Sequence, residues 1–362
     1  MSVAFHRLKI SNVRRETPEA VSIAFAVPPE LAEAYRFDPG QHLTLRTMLG
    51  GAETRRSYSI CTGPDDGDLR IVIKQQDRGL FSNWIQSAIK AGDSIDVMTP
   101  QGRFGIRPDP EASRNYLAIA AGSGITPVMS ILRSVLAREP RSRVVLLYGN
   151  RTAQSIIFKR ELEALKDCYL DRLSVHHVLS RERQELDLFN GRIDAEKIAA
   201  VLKATLPADA VDHAFLCGPG DLIENSRSAL LRLGVLPERI HVEHFTVDGM
   251  PAPAPIRAEP RPEAEADAEA EATVEIRLNG LDHLVPLHSG ETIVEAGLRH
   301  GLEMPYSCRG GMCCTCRAKL VSGQVRMDRN FSLEPWEMAA GYVLTCQSHP
   351  LTPKVAVDYD HV

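Results

Sequence analysis

A chain of 362 residues is too long for one ordinary core, and two or three domains are expected. Its 44% hydrophobic and 25% charged residues are those of soluble globular proteins, and no apolar run is long enough to span a bilayer. No basic stripe suggests a nucleic-acid partner, and residues 247–272 alone carry the net charge of −5, with seven acidic and two basic side chains.

The N-terminal stretch "MSVAFHRLKISNVRRET" has no apolar core of signal-peptide length, so a cytoplasmic protein with no membrane partner is expected. In that compartment clustered cysteines hold metal more often than they form disulfides. Residues 1–109 then read as short strands punctuated by turn signals: "AVSIAFAVP", "QHLTLRTML", "TRRSYSICT" and "LRIVIKQQD". One helical stretch, "GLFSNWIQSAIK", interrupts them. The pattern predicts a small antiparallel β-barrel with one helix.

Two short motifs within that barrel carry chemistry. "RRSYSI" (55–60) ends a strand with a cation, an aromatic and a hydroxyl, which by itself is often only a structural strand. "GLFSN" (79–83) opens the helix, so Gly79 through Ser82 offer N–H groups to an anion. Arg56 and that helix start together would hold a pyrophosphate, and Tyr58 would lie against a flat ring.

Residues 110–246 change pattern. "YLAIAAG", "RVVLLYGN", "RLSVHHVLS", "DHAFLCGPG" and "RIHVEHF" are short buried strands alternating with helical stretches, which predicts a doubly wound parallel α/β sheet. The turn in "AIAAGSGITPVMSIL" departs from G-x-G-x-x-G, yet Gly122 and Gly124 permit close phosphate approach and Thr126 can cap the helix. A bare glycine turn is the competing reading. "CGPGD" (217–221) ends another strand of that sheet, and both ends should line the crevice at its carboxyl edge.

"DGMPAPAPIRAEPRPEAEADAEAEA" has almost nothing to bury, and residues 247–272 are expected to be a solvated linker, with a short Ala/Glu helix near its end as the alternative. Residues 273–362 read as a compact α+β (β-grasp) module: a hairpin in "TVEIRLNGLDHLVPL", a helix in "TIVEAGLRHGL", and a closing strand in "KVAVDYD". Cys308, Cys313 and Cys316 fit C-x4-C-x2-C, and 29 residues separate Cys316 from Cys346. That is the plant-type spacing for a 2Fe–2S cluster. Gly310 and Gly311 would let the loop wrap the cluster closely. A four-thiolate zinc site is the rival, although zinc sites usually carry two C-x2-C knuckles. Cys314 fits no ligand spacing and is read as a small thiol facing away, while Cys61 and Cys168 are read as core or surface thiols.

The succession R-x-Y-S, G-x-x-S, G-S-G-I-T-P, Y-G-N-R and C-G-P resembles the ferredoxin–NADP reductase superfamily. With a plant-type ferredoxin at the C-terminus, the chain resembles the reductase subunits that serve phenylacetyl-CoA epoxidases. The resemblance implies three modules: an FAD-binding barrel, an NAD(P)-binding domain and a 2Fe–2S domain. It places Arg56 on the FAD pyrophosphate, Tyr58 on the flavin or its ribityl side, and Ser59 near the reactive flavin nitrogen. Ile60 and Lys74 are counted with the cofactor-binding residues. Gly79, Phe81 and Ser82 match the pyrophosphate turn, and Gly122, Gly124, Thr126 and Pro127 the pyridine-nucleotide turn. Cys217, Gly218 and Pro219 would lie beside the nicotinamide, with Glu243 and Phe245 near the closing end of that pocket. Ser59, Cys217 and Glu243 are the candidate catalytic residues.

NADPH is favoured over NADH because Arg151 and the pair Ser180–Arg181 can hold a 2′-phosphate, with Glu182 beside them as an objection. A nicotinamide delivers two electrons together and a 2Fe–2S cluster accepts one, so a flavin must stand between them. The implied acceptor is a di-iron oxygenase that epoxidises the ring of phenylacetyl-CoA, and this chain lacks the paired Glu-x-x-His helices to be that oxygenase itself. The alternatives are a reductase for another aromatic or alkane oxygenase, or a zinc-binding adapter. No acid–base dyad or nucleophile is expected, and His176, His177, His213, His241 and His244 have no ligand spacing.

Overall fold

The computed structural model describes residues 3–77, 79–245 and 270–361. Its first part holds β1 (Phe5–Thr17), β2 (Ala20–Ala26), β3 (His42–Leu49), β4 (Ala52–Ser59), β5 (Leu69–Lys74), α1 (Leu80–Ala88) and β6 (Ser94–Met98). The strands form one antiparallel sheet in the order β4-β3-β6-β1-β2-β5, and a bridge between Ile60 and Ile71 brings the two outer strands together. The sheet is thereby barrel-like. Alternation drives this closure: Leu8 and Ile10 of β1 are buried while Arg7 and Lys9 face out. Phe81 and Ile85, four residues apart on α1, plug the same core.

The second part holds β7 (Asn115–Ala121), α2 (Ile125–Arg138), β8 (Arg143–Asn150), α3 (Lys159–Cys168), β9 (Leu173–Leu179), α4 (Ala195–Thr205), β10 (His213–Gly218), α5 (Gly220–Arg232) and β11 (Ile240–His244). All neighbours are parallel, in the order β11-β10-β7-β8-β9. Successive residues of β7 serve opposite faces: Tyr116, Ala118 and Ala120 pack with α2 and α3, while Leu117 and Ile119 pack with α4 and α5. The order reverses between β7 and β10, which opens a crevice outside their carboxyl ends.

The third part holds β12 (Ala270–Leu278), β13 (Leu281–His288), α6 (Ile293–Arg299), β14 (Arg317–Ser322), β15 (Val325–Met327), α7 (Pro335–Ala339), β16 (Tyr342–Leu344), β17 (Ser348–Pro350) and β18 (Lys354–Asp358). Its main sheet runs β13-β12-β18-β14-β16, parallel only between β12 and β18, with α6 packed across it. Thr292 and Glu295 cap that helix reciprocally. Strand β12 opens at Ala270, inside the segment read as a linker; residues 246–269 lie outside the described residues, and with them the question of a helix near that segment's end.

Candidate functional site

Strand β4 has two working faces. On one, Tyr58 meets Phe81 with ring centroids 6.0 Å apart, and Arg56 donates to the carbonyl of Arg55 at 2.7 Å. No carboxylate among the described residues pairs with Arg56. Phe81 and Ser82 are buried at the start of α1, and no side chain caps that helix. The N–H groups of Leu80, Phe81 and Ser82 are left for an anion, but the Gly79 N–H is not: it donates to the Gln76 carbonyl at 3.0 Å. The donor set fits a pyrophosphate.

The other face carries Arg55, Ser57 and Ser59, and it meets the third module. Arg55 donates to the carbonyl of Met304 at 3.0 Å and lies over the Tyr306 ring. Ser57 donates to the Ser307 hydroxyl at 2.8 Å. Ser59 donates to a carboxyl oxygen of Glu243 at 3.3 Å. Elsewhere Arg46 pairs with Glu303, Arg103 with Glu337, and the Tyr306 hydroxyl donates to Glu53, so a line of polar contacts holds the third module on the barrel. A cavity of about 590 Å³ follows this seam, bordered by Gln41, Arg103, Cys314, Thr315 and Trp336.

The crevice of the parallel sheet assembles the next group. Gly122 and Gly124 form a tight turn before α2, and a Cβ on Gly124 would stand 2.2 Å from the Cys217 carbonyl oxygen. Only glycine lets the two strand ends meet. Tyr148 donates to the Gly122 carbonyl at 2.9 Å, and Lys74, itself 3.6 Å from Glu19, leans toward the same turn. Thr126 does not cap the helix as expected: its hydroxyl donates to the Ser123 carbonyl at 3.0 Å within the first turn, and Gly124 occupies the cap position. Pro127 is buried beside it.

Cys217 and Glu243 are register partners on β10 and β11. Cys217 is fully buried, and burial raises its thiol well above the ordinary range. Glu243 is half-buried as a residue, but its carboxyl is closed in by protein; desolvation raises its pKa to about 8, with the Ser59 hydrogen bond opposing. Gly218 and Pro219 follow directly and lead into α5. Phe245 packs against the core beneath.

At the far edge of the crevice, Arg151 follows β8 and Ser180 and Arg181 follow β9. The backbone ties them together: Ser180 N–H donates to Asn150 and Arg181 N–H to Arg151, at 3.0 and 2.8 Å. Glu182 is committed elsewhere, accepting from the Ala153 N–H at 2.8 Å. Arg151 and Arg181 are both exposed, and neither pairs with Glu182, but Arg151 lies 4.0 Å from a carboxyl oxygen of Glu19.

In the third module, the loop before β14 turns through positive φ at Arg309, Gly311 and Cys314. The N–H groups of Gly310 and Met312 each donate to Cys308 Sγ at 3.4 Å. The four cysteines associate as Cys308 with Cys313 and Cys316 with Cys346. Two pairs of thiols fit two irons, each iron taking two sulfurs. Cys314 stays outside this set, and its half-buried thiol, bonded to Ser332, is pushed up to about 12 by burial.

The cysteine loop and the barrel meet at one further place. His42 Nε2 lies 3.1 Å from the Thr315 hydroxyl, and both residues are buried. Burial lowers the His42 pKa to about 4. Arg55, Ser57, His42 and Thr315 carry no motif that singles them out, and only the fold brings them together across about 250 residues or more of sequence.

Three family models match the chain: an oxidoreductase FAD-binding domain over residues 7–106, an oxidoreductase NAD-binding domain over 118–228, and a 2Fe-2S iron-sulfur cluster binding domain over 276–351. The chain is 43% identical to a 1,2-phenylacetyl-CoA epoxidase subunit of Escherichia coli, covering 98% of both chains. It is 35% identical to the ferredoxin reductase component of 3-ketosteroid-9-alpha-monooxygenase from Rhodococcus rhodochrous, covering 97% of this chain and 96% of the other. Among solved structures, phthalate dioxygenase reductase matches over 98% of both chains with a TM-score of 0.60 and 23% identity, which is a likeness of fold.

Proposed function

Because the chain belongs to the family of reductase components with FAD-, NAD- and 2Fe-2S-binding domains that serve oxygenases, we propose that it draws electrons from NADPH and delivers them to a di-iron oxygenase that epoxidises the ring of phenylacetyl-CoA. It is an oxidoreductase of the electron-transfer kind. When bound, the flavin takes a pair of electrons from the nicotinamide and the cluster passes them on singly.

The chain's own residues align and insulate the three groups. Arg56 and the first turn of Leu80–Ala88 hold the flavin's pyrophosphate, while Tyr58 braces its ring side and Ser59 lies at its reactive edge. Gly122, Gly124 and Pro127 leave room for the nucleotide, and Cys217, Gly218 and Pro219 wall the nicotinamide. Glu243, hydrogen-bonded to Ser59, closes that wall and keeps water from the hydride path. Residues 1–109, 110–246 and 273–362 act as the three units, joined by 247–272, in the cytoplasm.

The observation that carries this reading is the meeting of Ser59 with Glu243 at 3.3 Å beside the seam where the cysteine-bearing module docks. Donor crevice, flavin strand and cysteine loop share one junction. Preference for NADPH is supported by Arg151 and Arg181 at one corner with Glu182 turned to Ala153. The 43% identity over 98% of both chains supports the choice of acceptor.

The test is reconstitution: purified protein, NADPH and a phenylacetyl-CoA epoxidase oxygenase component, with ring-epoxide formation followed by mass spectrometry. Epoxide formed only with all components present supports the assignment. Rapid bleaching of flavin and iron–sulfur bands without epoxide overturns this acceptor and leaves a reductase for another oxygenase.

A further inference from the structure

One contact at the docking seam reaches a cysteine of the loop. His42 stands opposite Ser59 in the β3–β4 register, so it shares the strand pair that carries the flavin motif. Its Nε2 lies 3.1 Å from Thr315 Oγ1, and that same oxygen lies 3.2 Å from Cys313 Sγ. The fold makes space for the ring: a Cβ on Gly102 would stand 2.8 Å from His42 Nδ1, and the φ of +107° there suits glycine. This is a chain of two hydrogen bonds from barrel strand to sulfur, crossing between modules and joining residues 273 positions apart.

The direction of those bonds is fixed once Cys313 acts as a ligand. A ligating sulfur is a thiolate and can only accept. For both contacts to be hydrogen bonds, the single Thr315 hydroxyl proton points at the sulfur and the oxygen accepts from His42 Nε2–H, which makes His42 the Nε2–H tautomer. Without His42, that hydroxyl is free to turn toward the seam cavity, which Thr315 borders.

We propose that His42 is a positioning residue for electron passage: with the modules docked, it orients the Thr315 hydroxyl onto the Cys313 sulfur. This holds the cysteine loop against the flavin strand and raises the cluster's reduction potential while docking lasts. A hydrogen bond to a ligand sulfur favours the reduced, more negative cluster, which gives the sign. The step itself moves one electron and makes or breaks no bond to either side chain. The inference rests on the reading of Cys308, Cys313, Cys316 and Cys346 as ligands.

The experiment compares the holoprotein with His42→Phe, His42→Gln, Thr315→Val and Thr315→Ser by anaerobic redox titration under electron paramagnetic resonance and by stopped-flow absorbance. His42→Phe fills the site without a donor. It should move the cluster midpoint to a more negative potential and slow cluster reduction about tenfold relative to flavin bleaching in the same trace, the size of one buried hydrogen bond. His42→Gln and Thr315→Ser, which keep a donor and a hydroxyl, should restore most of both. The double variant His42→Phe/Thr315→Val should be no worse than Thr315→Val alone. An unchanged midpoint in His42→Phe, additive losses in the double variant, or flavin bleaching slowed as much as cluster reduction would overturn the proposal. A wild-type protein with no iron–sulfur signal refutes the ligand reading itself, which separates the two failures. Should His42→Phe not fold, the contrast between Thr315→Val and Thr315→Ser still decides whether the hydroxyl sets the midpoint.

Discussion

The two faces of β4 differ in how far their partners lie along the chain. Arg56 and Tyr58 face α1, about 25 residues on, whose Phe81 ring is 6.0 Å from Tyr58. Arg55 and Ser57, one residue out of phase, bond to Met304 and Ser307, separated from them by 249 and 250 residues. The first face carries the R-x-Y-S pattern expected to bind a cofactor. The second meets the third module through ordinary polar residues. One strand thus couples binding chemistry to domain assembly because side chains alternate across it.

Substitutions can separate those two faces. The largest expected effect lies beyond both: Cys313→Ser should abolish electron delivery to the oxygenase while NADPH-to-ferricyanide activity stays largely intact, since that acceptor can draw from flavin. Equal loss of both activities would break the serial order. On the cofactor face, Arg56→Ala removes a charge-assisted contact worth about 1.5–3 kcal/mol and should weaken FAD retention by ~10–100-fold, read by flavin fluorescence on dilution. On the docking face, Arg55→Ala removes the bond to Met304 and the stack on Tyr306, about 1–2 kcal/mol, and should leave FAD bound while slowing cluster reduction several-fold. A flavin-free Arg55→Ala protein would erase the distinction between faces.

Two smaller effects sharpen the contrast from outside the strand. Arg151→Ala with Arg181→Ala should raise the KM for NADPH by about tenfold and spare NADH, as loss of charged hydrogen bonds to a phosphate requires. An unmoved coenzyme ratio removes these arginines from the site. The smallest effect lies at the amino edge of the parallel sheet, away from all electron carriers. There His213 Nδ1 and His241 Nε2 stand 3.0 Å apart. Burial lowers both, His241 to about 4 from an ordinary 6.5; Arg114 and Arg239 add to the effect on His213, and Asp212 and Glu139 oppose it. Below about pH 6.5 the unfolded chain binds protons that the folded chain refuses, so stability falls as pH drops toward 4. His241→Gln should flatten the pH dependence of thermal unfolding and leave flavin reduction unchanged. A slope identical to wild type would show that the pair carries none of it.

The cysteine spacing, the glycine turns and R-x-Y-S were legible because each is local: a cluster, a phosphate or a ring imposes its needs within a few residues. The barrel, the parallel sheet and the β-grasp module were likewise readable from alternation and from strands interleaved with helices. Thr126 was misplaced, since a threonine near a helix start caps it or bonds inside its first turn, and only backbone geometry decides. Spacing alone set Cys314 apart from Cys308, Cys313, Cys316 and Cys346, and in the structure its thiol bonds to Ser332.

Residue order determined which chemical groups this protein carries and which three folds present them. Tertiary structure alone decided that Ser59 meets Glu243, that His42 meets Thr315, and that Arg55 reaches Met304. Those contacts join residues 184 to 273 positions apart, chosen by the shapes of folded surfaces, and no periodicity in a linear sequence records which surfaces will touch.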